Sequence, residues 1–589
     1  MYLENICQPS DVKKLNVEQL TVLAQEMRDA LLEKGSSYGG HMGSNLGMVE
    51  TTIALHAVFD SPKDKIIYDV SHQCYCHKML TGRKDAFLDP EKYSDVSGYT
   101  CPEESPHDFF NVGHSSTSIS LACGMAKARD LTGGKENIIA VIGDGALGGG
   151  LALEALNYAC ELHSNLIIVV NDNQMSIAES KGGLCYHLQH LRDTDGQAPS
   201  NLFTALGLEY HLVKNGHDIS ALISVFSGVQ GIDHPVVIHV CTQKGKGYAF
   251  AETDQENWHY RKAFDPKTGL SKLPYASESY DIFAREFLLE KMKKDPRVIV
   301  LSAGVPVSLA FNAEKRREAG QQYIDVGLAE ENAITMAAGI AKNGGKPVFS
   351  TDATFFQRTY DQVSHDLCIN HCPVTLMIRN ASVFGMNDLS HLGIFDIPML
   401  SNIPNFVYLA PTNKQEFLAM LDWSVEQRTY PVAIRMPRNG IFSTEQPVEQ
   451  DYSSLNRYKV CSQGSRVAVL ALGDFFQLGE SVAQLITEKI GIVPTLINPR
   501  YITGLDEALL ERLKEKHHLI ITLEDGVLDG GFGEKIARFY GPSSIRVLNY
   551  GLKKEFLDRY TVSDILLQNR LTKEQITDDV IQILEESTR

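Results

Sequence analysis

A glycine-rich turn after an apolar stretch is the segment of this chain that most clearly could bind a ligand. Residues 137–150 read NIIAVIGDGALGGG, in which Gly143, Gly145 and Gly148 have the G-x-G-x-x-G spacing of a dinucleotide-binding turn. Asp172 ends the next apolar run, near the position expected for a ribose-binding acid. An NAD site is therefore one interpretation of this segment.

Two polar residues in the same region favour a different ligand. Asp144 lies between the first two glycines, where its carboxylate would repel a pyrophosphate by roughly several kcal/mol unless a cation lay between them. Asn173 follows the next strand, so the ends of two adjacent strands would bring its oxygen close to Asp144. Such hard oxygen ligands suit Mg²⁺. A glycine-rich turn with Asp144 as a helix cap is the structural alternative.

The order G-D-G, about thirty residues, then N resembles the signature of thiamin-diphosphate enzymes. The glycines would let the backbone approach the diphosphate, and a helix predicted to start near Ala146 would offer its N-terminal amides. The sequence thus predicts a magnesium ion and a diphosphate at Asp144 and Asn173.

Thiamin diphosphate also requires a buried carboxylic acid, which hydrogen-bonds to the aminopyrimidine so that the coenzyme can deprotonate its own thiazolium carbon. The candidate is Glu330 in YIDVGLAEENAITMAAGIA, at the junction of a predicted strand and an apolar helix. Phe355, further along the chain, could stack on the pyrimidine. The alternative is that Glu330 or Glu331 only complements a helix dipole.

Strands alternate with helices along the whole chain, which predicts an α/β fold of mostly parallel sheets flanked by helices. We expect three domains, over residues 1–272, 279–445 and 455–589. The polar segment FDPKTGLSKLPYASES reads as the first linker.

Composition excludes some partners. The net charge of −18 argues against a nucleic-acid partner, because no basic stretch is dense enough to neutralise a phosphate backbone. No apolar run is long enough to span a bilayer, and no secretory leader opens the chain. The eleven cysteines are scattered, and neither Cys74-x-Cys76 nor Cys368-x3-Cys372 has a second pair at zinc-site spacing. We therefore expect free thiols and a cytoplasmic location.

Several longer motifs resemble the 1-deoxy-D-xylulose-5-phosphate synthase family of transketolase-like enzymes, among them GGHMGSNLGMVETTIALHAVF, IIYDVSHQCYCHKMLTGRKDAF, AEENAITMAAGIA and FFQRTYDQVSHD. The match runs from about residue 35 to the C-terminus. The resemblance implies a homodimer of three-domain subunits that uses thiamin diphosphate and Mg²⁺. The family condenses pyruvate with glyceraldehyde 3-phosphate and releases carbon dioxide.

The resemblance also assigns roles to residues at matching positions. Asp144, Asn173 and the main-chain oxygen of Met175 would hold Mg²⁺, Glu330 would activate the coenzyme, and Phe355 would stack on it. The residues implied around the coenzyme are His72, Gly113, His114, Ser115, Gly143, Gly145, Ala146 and Lys244. His41, His72, His114 and His259 would surround the reaction centre, and Arg358, His391 and Arg438 would face the acceptor substrate.

The acceptor side departs from the family pattern. Asn380 replaces an arginine, Asn387 an aspartate and Asp352 a tyrosine, and the loop between Ile177 and Leu202 is much shorter. Asparagine cannot reproduce the bidentate phosphate binding of arginine. The loss costs about 1.5–3 kcal/mol, or roughly ten- to hundred-fold in affinity. Asp352 would repel phosphate if it faced the pocket.

These differences leave the acceptor open. Either the enzyme uses a different, unphosphorylated aldehyde, or Arg358 and Arg438 suffice to bind phosphate. More distant alternatives are a transketolase that transfers a two-carbon ketol without decarboxylation, an NAD-dependent dehydrogenase, and a catalytically silent binding subunit. The retention of Asp144, Asn173 and Glu330 argues against the last of these.

Overall fold

A computed structural model of the chain describes residues 1–274, 278–384 and 388–586. The chain divides into two compact units. The first comprises Met1–Tyr275 and Val326–Ala329, and the second comprises Ala276–Asp325 and Glu330–Arg589. Asn387, one of the expected acceptor-side residues, lies outside the described residues.

The first unit is built on a parallel sheet in the order β1-β2-β3-β5-β4. Its strands are β1 (Lys65–Tyr68), β2 (Ile138–Gly143), β3 (Leu166–Asp172), β4 (Glu209–Val213) and β5 (Pro235–Cys241). The central strands are buried along their length, which explains why their sequences are continuous apolar runs rather than alternating patterns.

Helices cover both faces of this sheet. The helices of this unit are α1 (Pro9–Val12), α2 (Val17–Tyr38), α3 (Met42–Gly47), α4 (Val49–Val58), α5 (Tyr75–Lys78), α6 (Asp85–Leu88), α7 (Ser118–Thr132), α8 (Asp144–Leu147), α9 (Gly150–Ala159), α10 (Gly183–Asp193), α11 (Leu202–Ala205), α12 (Ile219–Gly228) and α13 (Ala249–Thr253); α7 and α9 pack on one face of the sheet, and α4 and α12 on the other. The helix expected near Ala146 is thus two helices, because the chain breaks at Gly148 and Gly149 and the longer helix begins at Gly150.

The second unit contains two sheets. The first is parallel, in the order β10-β11-β9-β8-β6-β7. Its strands are β6 (Val298–Ser302), β7 (Tyr323–Asp325), β8 (Lys346–Asp352), β9 (Thr375–Arg379), β10 (Val407–Leu409) and β11 (Val432–Met436). The second has the order β12-β14-β13-β15-β16, and only β12 runs antiparallel to its neighbour. Its strands are β12 (Lys459–Ser462), β13 (Arg466–Ala471), β14 (Thr495–Asn498), β15 (His517–Val527) and β16 (Arg546–Leu552).

The helices of the second unit are α14 (Tyr280–Lys294), α15 (Ala313–Ala319), α16 (Glu330–Lys342), α17 (Ala353–Phe356), α18 (Tyr360–Gln362), α19 (Asp396–Leu400), α20 (Lys414–Glu426), α21 (Phe476–Ile490), α22 (Glu507–Leu513), α23 (Phe532–Tyr540), α24 (Val562–Gln568) and α25 (Lys573–Glu586). The predicted α/β class with mostly parallel sheets is confirmed. Within the described part of the chain, no helix has the length and apolarity to cross a membrane.

Candidate active site

The ends of β2 and β3 bring Asp144 and Asn173 to one edge of the first sheet. Gly143 is aligned with Asn171 in this parallel pair, so the two polar residues leave the sheet side by side. Asp144 is only 7% exposed, and its Oδ2 atom has no hydrogen-bond partner among the described residues. Burial, followed by the charge of Asp172, raises the pKa of Asp144 to about 7. A buried oxygen without a partner fits a cation ligand.

The loop after β3 places further polar groups at this edge. The Asn173 Oδ1 atom accepts a hydrogen bond from the Met175 backbone N–H at 3.0 Å, which leaves its second lone pair for a ligand. The Lys244 ammonium is buried and donates to the Ser176 carbonyl at 2.5 Å. Burial lowers the pKa of Lys244 to about 7, and the charge of Asp144 opposes this shift. A bound anion would further stabilise the charged form of this lysine.

Two glycines in the turn are required by close contacts. A Cβ on Gly145 would lie 2.9 Å from the Ser176 Cβ, and one on Gly149 would lie 2.1 Å from the Ser116 Oγ. A Cβ on Gly143 would meet no described atom within 4 Å, so space remains in front of the turn. This space, together with the unpaired oxygen of Asp144, fits a magnesium ion and a diphosphate.

Asp172 is not available to a ribose. Its Oδ2 atom lies 2.7 Å from His239 Nε2 and also forms an ion pair with Arg192. The His239 ring is held from its other side, where Nδ1 lies 2.9 Å from the Tyr210 hydroxyl. Because the charge of this carboxylate is already balanced within the fold, Asp172 does not serve as the ribose-binding acid that an NAD site would need.

Three of the expected histidines form a cluster in the first unit. The ring centroids of His41 and His72 are 5.2 Å apart, those of His72 and His259 5.1 Å, and those of His41 and His259 5.5 Å. The Ser44 hydroxyl lies 3.0 Å from His72 Nε2. Burial, then the charges of Lys244 and the other two histidines, holds the pKa of His259 well below 6.5. His259 is therefore neutral at pH 7, with one ring nitrogen that can donate a hydrogen bond and one that can accept one.

The loop that carries Gly113, His114 and Ser115 is held by Asp69, which the sequence analysis missed. The Asp69 carboxylate accepts hydrogen bonds from the backbone N–H groups of Ser116 at 2.7 Å and Ser118 at 2.9 Å. Asp69 directly follows β1 in KIIYD, and a carboxylate at the end of a buried strand is the signal that could have identified it.

Glu330 begins α16 in the second unit and is only 2% exposed. Burial raises its pKa, although the Arg358 guanidinium, 3.6 Å from Oε2, opposes the shift. The Oε2 atom has no hydrogen-bond partner among the described residues. A residue that only complements the helix dipole needs no burial, and the adjacent Glu331 is partly exposed. The environment of Glu330 fits an acid that binds a ring nitrogen.

Phe355, expected to stack on the coenzyme, contacts His391, expected to face the acceptor. Their ring centroids are 5.5 Å apart with an interplanar angle of 87°. His391 Nδ1 lies 3.1 Å from Asp388 Oδ1 and 2.9 Å from the Ser390 hydroxyl, so these neighbours set the orientation of its ring. Asp388 was missed in the sequence. Arg438 is exposed and forms no ion pair with any described residue.

Asp352 and Asn380 are bound to each other. Asp352 and Arg379 are aligned at the ends of β8 and β9, and Arg379 Nη1 donates to Asp352 Oδ1 at 2.8 Å. Asn380 Nδ2 donates to Asp352 Oδ2 at 2.9 Å. Because Arg379 balances the charge of Asp352, the repulsion of phosphate that we expect if Asp352 faces the pocket would be weakened. The amide of Asn380 is committed to this contact.

The three mostly parallel sheets flanked by helices define a transketolase-type α/β fold. Residues 281–442 match the transketolase pyrimidine binding domain, and residues 457–576 match the transketolase C-terminal domain. Residues 3–198 and 195–242 match the 1-deoxy-D-xylulose-5-phosphate synthase model.

Curated relatives agree over the full chain. Proteins named 1-deoxy-D-xylulose-5-phosphate synthase from Clostridium beijerinckii and Clostridium tetani are each 37% identical. The first alignment covers 99% of this chain and 99% of the relative, and the second covers 98% of each. The protein of this name from Alkaliphilus oremlandii is 38% identical over 98% of each chain. The chain belongs to the 1-deoxy-D-xylulose-5-phosphate synthase family, which confirms the resemblance found in the sequence.

Proposed function

We propose that this protein catalyses the thiamin-diphosphate-dependent condensation of pyruvate with glyceraldehyde 3-phosphate, which gives 1-deoxy-D-xylulose 5-phosphate and carbon dioxide. The observation that carries the proposal is a pair of buried acids, Asp144 and Glu330. Each has one oxygen without a hydrogen-bond partner among the described residues, as an acid reserved for a ligand would.

The residues of the first unit would bind the diphosphate end. Asp144, Asn173 and the main-chain oxygen of Met175 would hold Mg²⁺. The turn at Gly143, Gly145 and Ala146, the loop at Gly113, His114 and Ser115, and Lys244 would surround the diphosphate. The buried Lys244 would then face an anion that compensates its charge.

When bound, the coenzyme supplies a carbon nucleophile and accepts the electron pair released with carbon dioxide. Glu330 would hold a proton at Oε2 against the pyrimidine ring, and Phe355 would orient that ring. His41, His72 and His259 would contact substrate oxygens and move protons to and from them, with His259 starting as a neutral ring. His391, oriented by Asp388, would serve the acceptor.

We also propose three domains, over residues 1–272, 279–445 and 455–589, and a homodimer. The dimer is supported by Leu151 and Tyr158, which lie seven residues apart on one face of α9 and are each more than two-fifths exposed, and Leu153 is exposed on another face of this helix. Leu153 also lines an adjacent open cavity of about 780 Å³. Apolar surface of this kind is typical of subunit interfaces.

Product analysis tests the reaction. Protein incubated with Mg²⁺, thiamin diphosphate, labelled pyruvate and glyceraldehyde 3-phosphate should release one carbon dioxide for each 1-deoxyketose phosphate found by mass. A transketolase would produce no labelled carbon dioxide, and a dehydrogenase would change the absorbance of a nicotinamide. The proposal would be refuted if no labelled carbon dioxide were released, or if the nicotinamide absorbance changed and no decarboxylated product formed.

The contact between Asn380 and Asp352 favours a second candidate, the same chemistry with an unphosphorylated aldehyde. Asn380 carries no charge, and Arg379 already forms an ion pair with Asp352. Neither residue therefore offers an unpaired positive charge to a phosphate. Arg358 lies beside Glu330, so Arg438 is the exposed cation left among the acceptor-side arginines.

Steady-state rates decide between the two acceptors. If phosphate recognition is lost, kcat/KM for glyceraldehyde 3-phosphate and for glyceraldehyde should agree within about tenfold. Asn380→Arg should then raise the preference for the phosphorylated aldehyde roughly ten- to hundred-fold. Arg438→Gln tests the first candidate, in which glyceraldehyde 3-phosphate is the acceptor and Arg438 binds its phosphate. A strong wild-type preference for the phosphorylated aldehyde that Arg438→Gln abolishes would exclude the unphosphorylated acceptor.

A further inference from the structure

Three segments that are far apart in the sequence carry the histidine cluster of the first unit, and main-chain hydrogen bonds join two of them. Gly40, the residue before His41, exchanges main-chain hydrogen bonds with Arg261 at 2.8 and 2.9 Å. Arg261 lies two residues after His259. The backbone itself therefore holds the His259 segment against the His41 segment.

The segment of His72 is joined to that of His41 by a side chain, the amide of Asn45 on α3. The Asn45 Nδ2 group donates one hydrogen bond to the His41 carbonyl at 2.6 Å and another to the His72 carbonyl at 2.8 Å. The Asn45 Oδ1 atom accepts the Tyr75 N–H at 2.9 Å. Asn45 is 0% exposed. Both N–H donors and the acceptor of this amide are thus used to hold backbone groups.

The backbone that leads to His72 is strained, so it needs contacts that hold it in place. Val70 has a φ of 56° and Ser71 a φ of 65°, in a region that is rare for a β-branched residue. The Ser71 hydroxyl donates to the Val112 carbonyl at 2.9 Å, and Asn45 holds the His72 carbonyl. Strained backbone of this kind persists only where the surrounding contacts fix it. Without the Asn45 amide, the His72 segment should relax.

We propose that Asn45 is a positioning residue, which sets the spacing of the His41 and His72 rings by holding their main chains together. The inference rests on the proposed function, in which these rings move protons to and from substrate oxygens. The ring centroids are 5.2 Å apart. A displacement of about 1 Å can slow a reaction step roughly 100-fold. Because the hydrogen bonds of Asn45 reach main-chain atoms, its effect on the reaction is indirect.

Asn45→Ala in the full-length protein should lower kcat roughly 10- to 100-fold, because both histidines keep their side chains but lose their common anchor. Asn165→Ala is the matched control. Asn165 is a buried amide of the same unit, hydrogen-bonded to Asn137 and Ile138 before β3, at the opposite end of this strand from Asn173. Both variants should unfold a few degrees below the wild-type protein, but Asn165→Ala should keep the wild-type kcat.

The pH profile of kcat separates positioning from a general loss of stability. Besides burial and the charge of Lys244, the charges of His72 and His41 lower the pKa of His259. A looser cluster weakens this repulsion, so the histidines should become protonated at higher pH. The acid limb of the kcat profile should therefore move to higher pH in Asn45→Ala and stay in place in Asn165→Ala.

Hydrogen–deuterium exchange at the thiazolium C2 carbon separates positioning from coenzyme activation. Exchange, followed by NMR, should run at the wild-type rate in Asn45→Ala, because Glu330 rather than the histidines would govern this step. Slow exchange in Asn45→Ala would mean that the coenzyme itself is misplaced, and it would overturn the assignment of Asn45 to the histidine rings.

Two results distinguish the failure of this inference from the failure of the proposed function. Wild-type kcat in Asn45→Ala would overturn the inference and leave the reaction standing, whereas an inactive wild-type protein would refute the reaction. NMR of the coenzyme-free protein then tests the spacing directly, because the His41 and His72 ring signals should move in Asn45→Ala and not in Asn165→Ala. Unmoved signals would overturn the inference.

A second variant covers the case in which Asn45→Ala fails to fold. The hydroxyl of Asn45→Ser is one atom too short to reach both carbonyls, so this variant should also lose kcat and shift the same ring signals. Wild-type kcat and unmoved signals in Asn45→Ser would overturn the inference equally.

Discussion

Glu330→Gln should bind thiamin diphosphate nearly as well as the wild-type protein and yet lose turnover by roughly 10²–10⁴-fold. Glutamine keeps the size and the hydrogen-bonding capacity of the side chain but cannot hold or release a proton. The Glu330 Oε2 atom is buried and has no hydrogen-bond partner among the described residues, and the contact that depends on its charge is the ion pair with Arg358 at 3.6 Å. The effect should therefore fall on kcat rather than on coenzyme affinity.

Two measurements separate activation from binding. Calorimetric titration gives the coenzyme affinity, and NMR of hydrogen–deuterium exchange at the thiazolium C2 carbon gives the activation rate, which should fall with kcat. Glu331→Gln is the matched control, because this adjacent acid is partly exposed and should exchange at the wild-type rate. Wild-type exchange in the Glu330→Gln protein would show that Glu330 does not activate the coenzyme.

The sequence predicted the parts of the fold that depend on local pattern. Runs such as NLIIVVN have no polar alternation because both faces of β3 are covered, and the same property identified most central strands. The strand β12 was missed: its sequence, KVCS, is short and largely exposed at the sheet edge. An edge strand of this kind has no apolar signature.

Residues that orient a site residue or balance its charge could not be predicted from local sequence pattern. Asp144 was found because glycines flank it and a strand precedes it. Asp388 was missed, because nothing near it in sequence shows that it contacts His391. The balance between Asp352 and Arg379 depends on the alignment of β8 with β9, which no local pattern contains. An isolated acid in a sequence therefore does not reveal whether its charge is already compensated.

Asp144 and Asp172 also show that sequence position alone does not tell a metal ligand from an acid whose charge is already balanced. Both acids lie at the ends of adjacent strands, and either could serve as a cation ligand by position alone. The structure separates them, because Asp172 is bound by His239 and Arg192 whereas Asp144 Oδ2 has no hydrogen-bond partner among the described residues. Replacing Asp172 would break an ion pair within the fold, and replacing Asp144 should instead weaken the binding of an ion.

Asp144→Asn should accordingly weaken thiamin diphosphate binding at a fixed Mg²⁺ concentration by on the order of 100-fold, the equivalent of about 3 kcal/mol for a contact to a charged group. Asparagine keeps an oxygen but removes the charge that balances Mg²⁺. Because binding energy rather than chemistry is lost, high Mg²⁺ and coenzyme concentrations should recover much of the turnover, in contrast to Glu330→Gln.

Calorimetric titration of the coenzyme over a series of Mg²⁺ concentrations measures this effect. The affinity of the wild-type protein should rise with Mg²⁺, and that of Asp144→Asn should rise only at much higher concentrations. Asp195→Asn is the control, because Asp195 is exposed and its ion-pair partner among the described residues is Lys214, which is equally exposed. An unchanged Mg²⁺ dependence in Asp144→Asn would mean that the unpaired oxygen of Asp144 is not a metal ligand, and the diphosphate would then have to be held by Lys244 and the glycine turn alone.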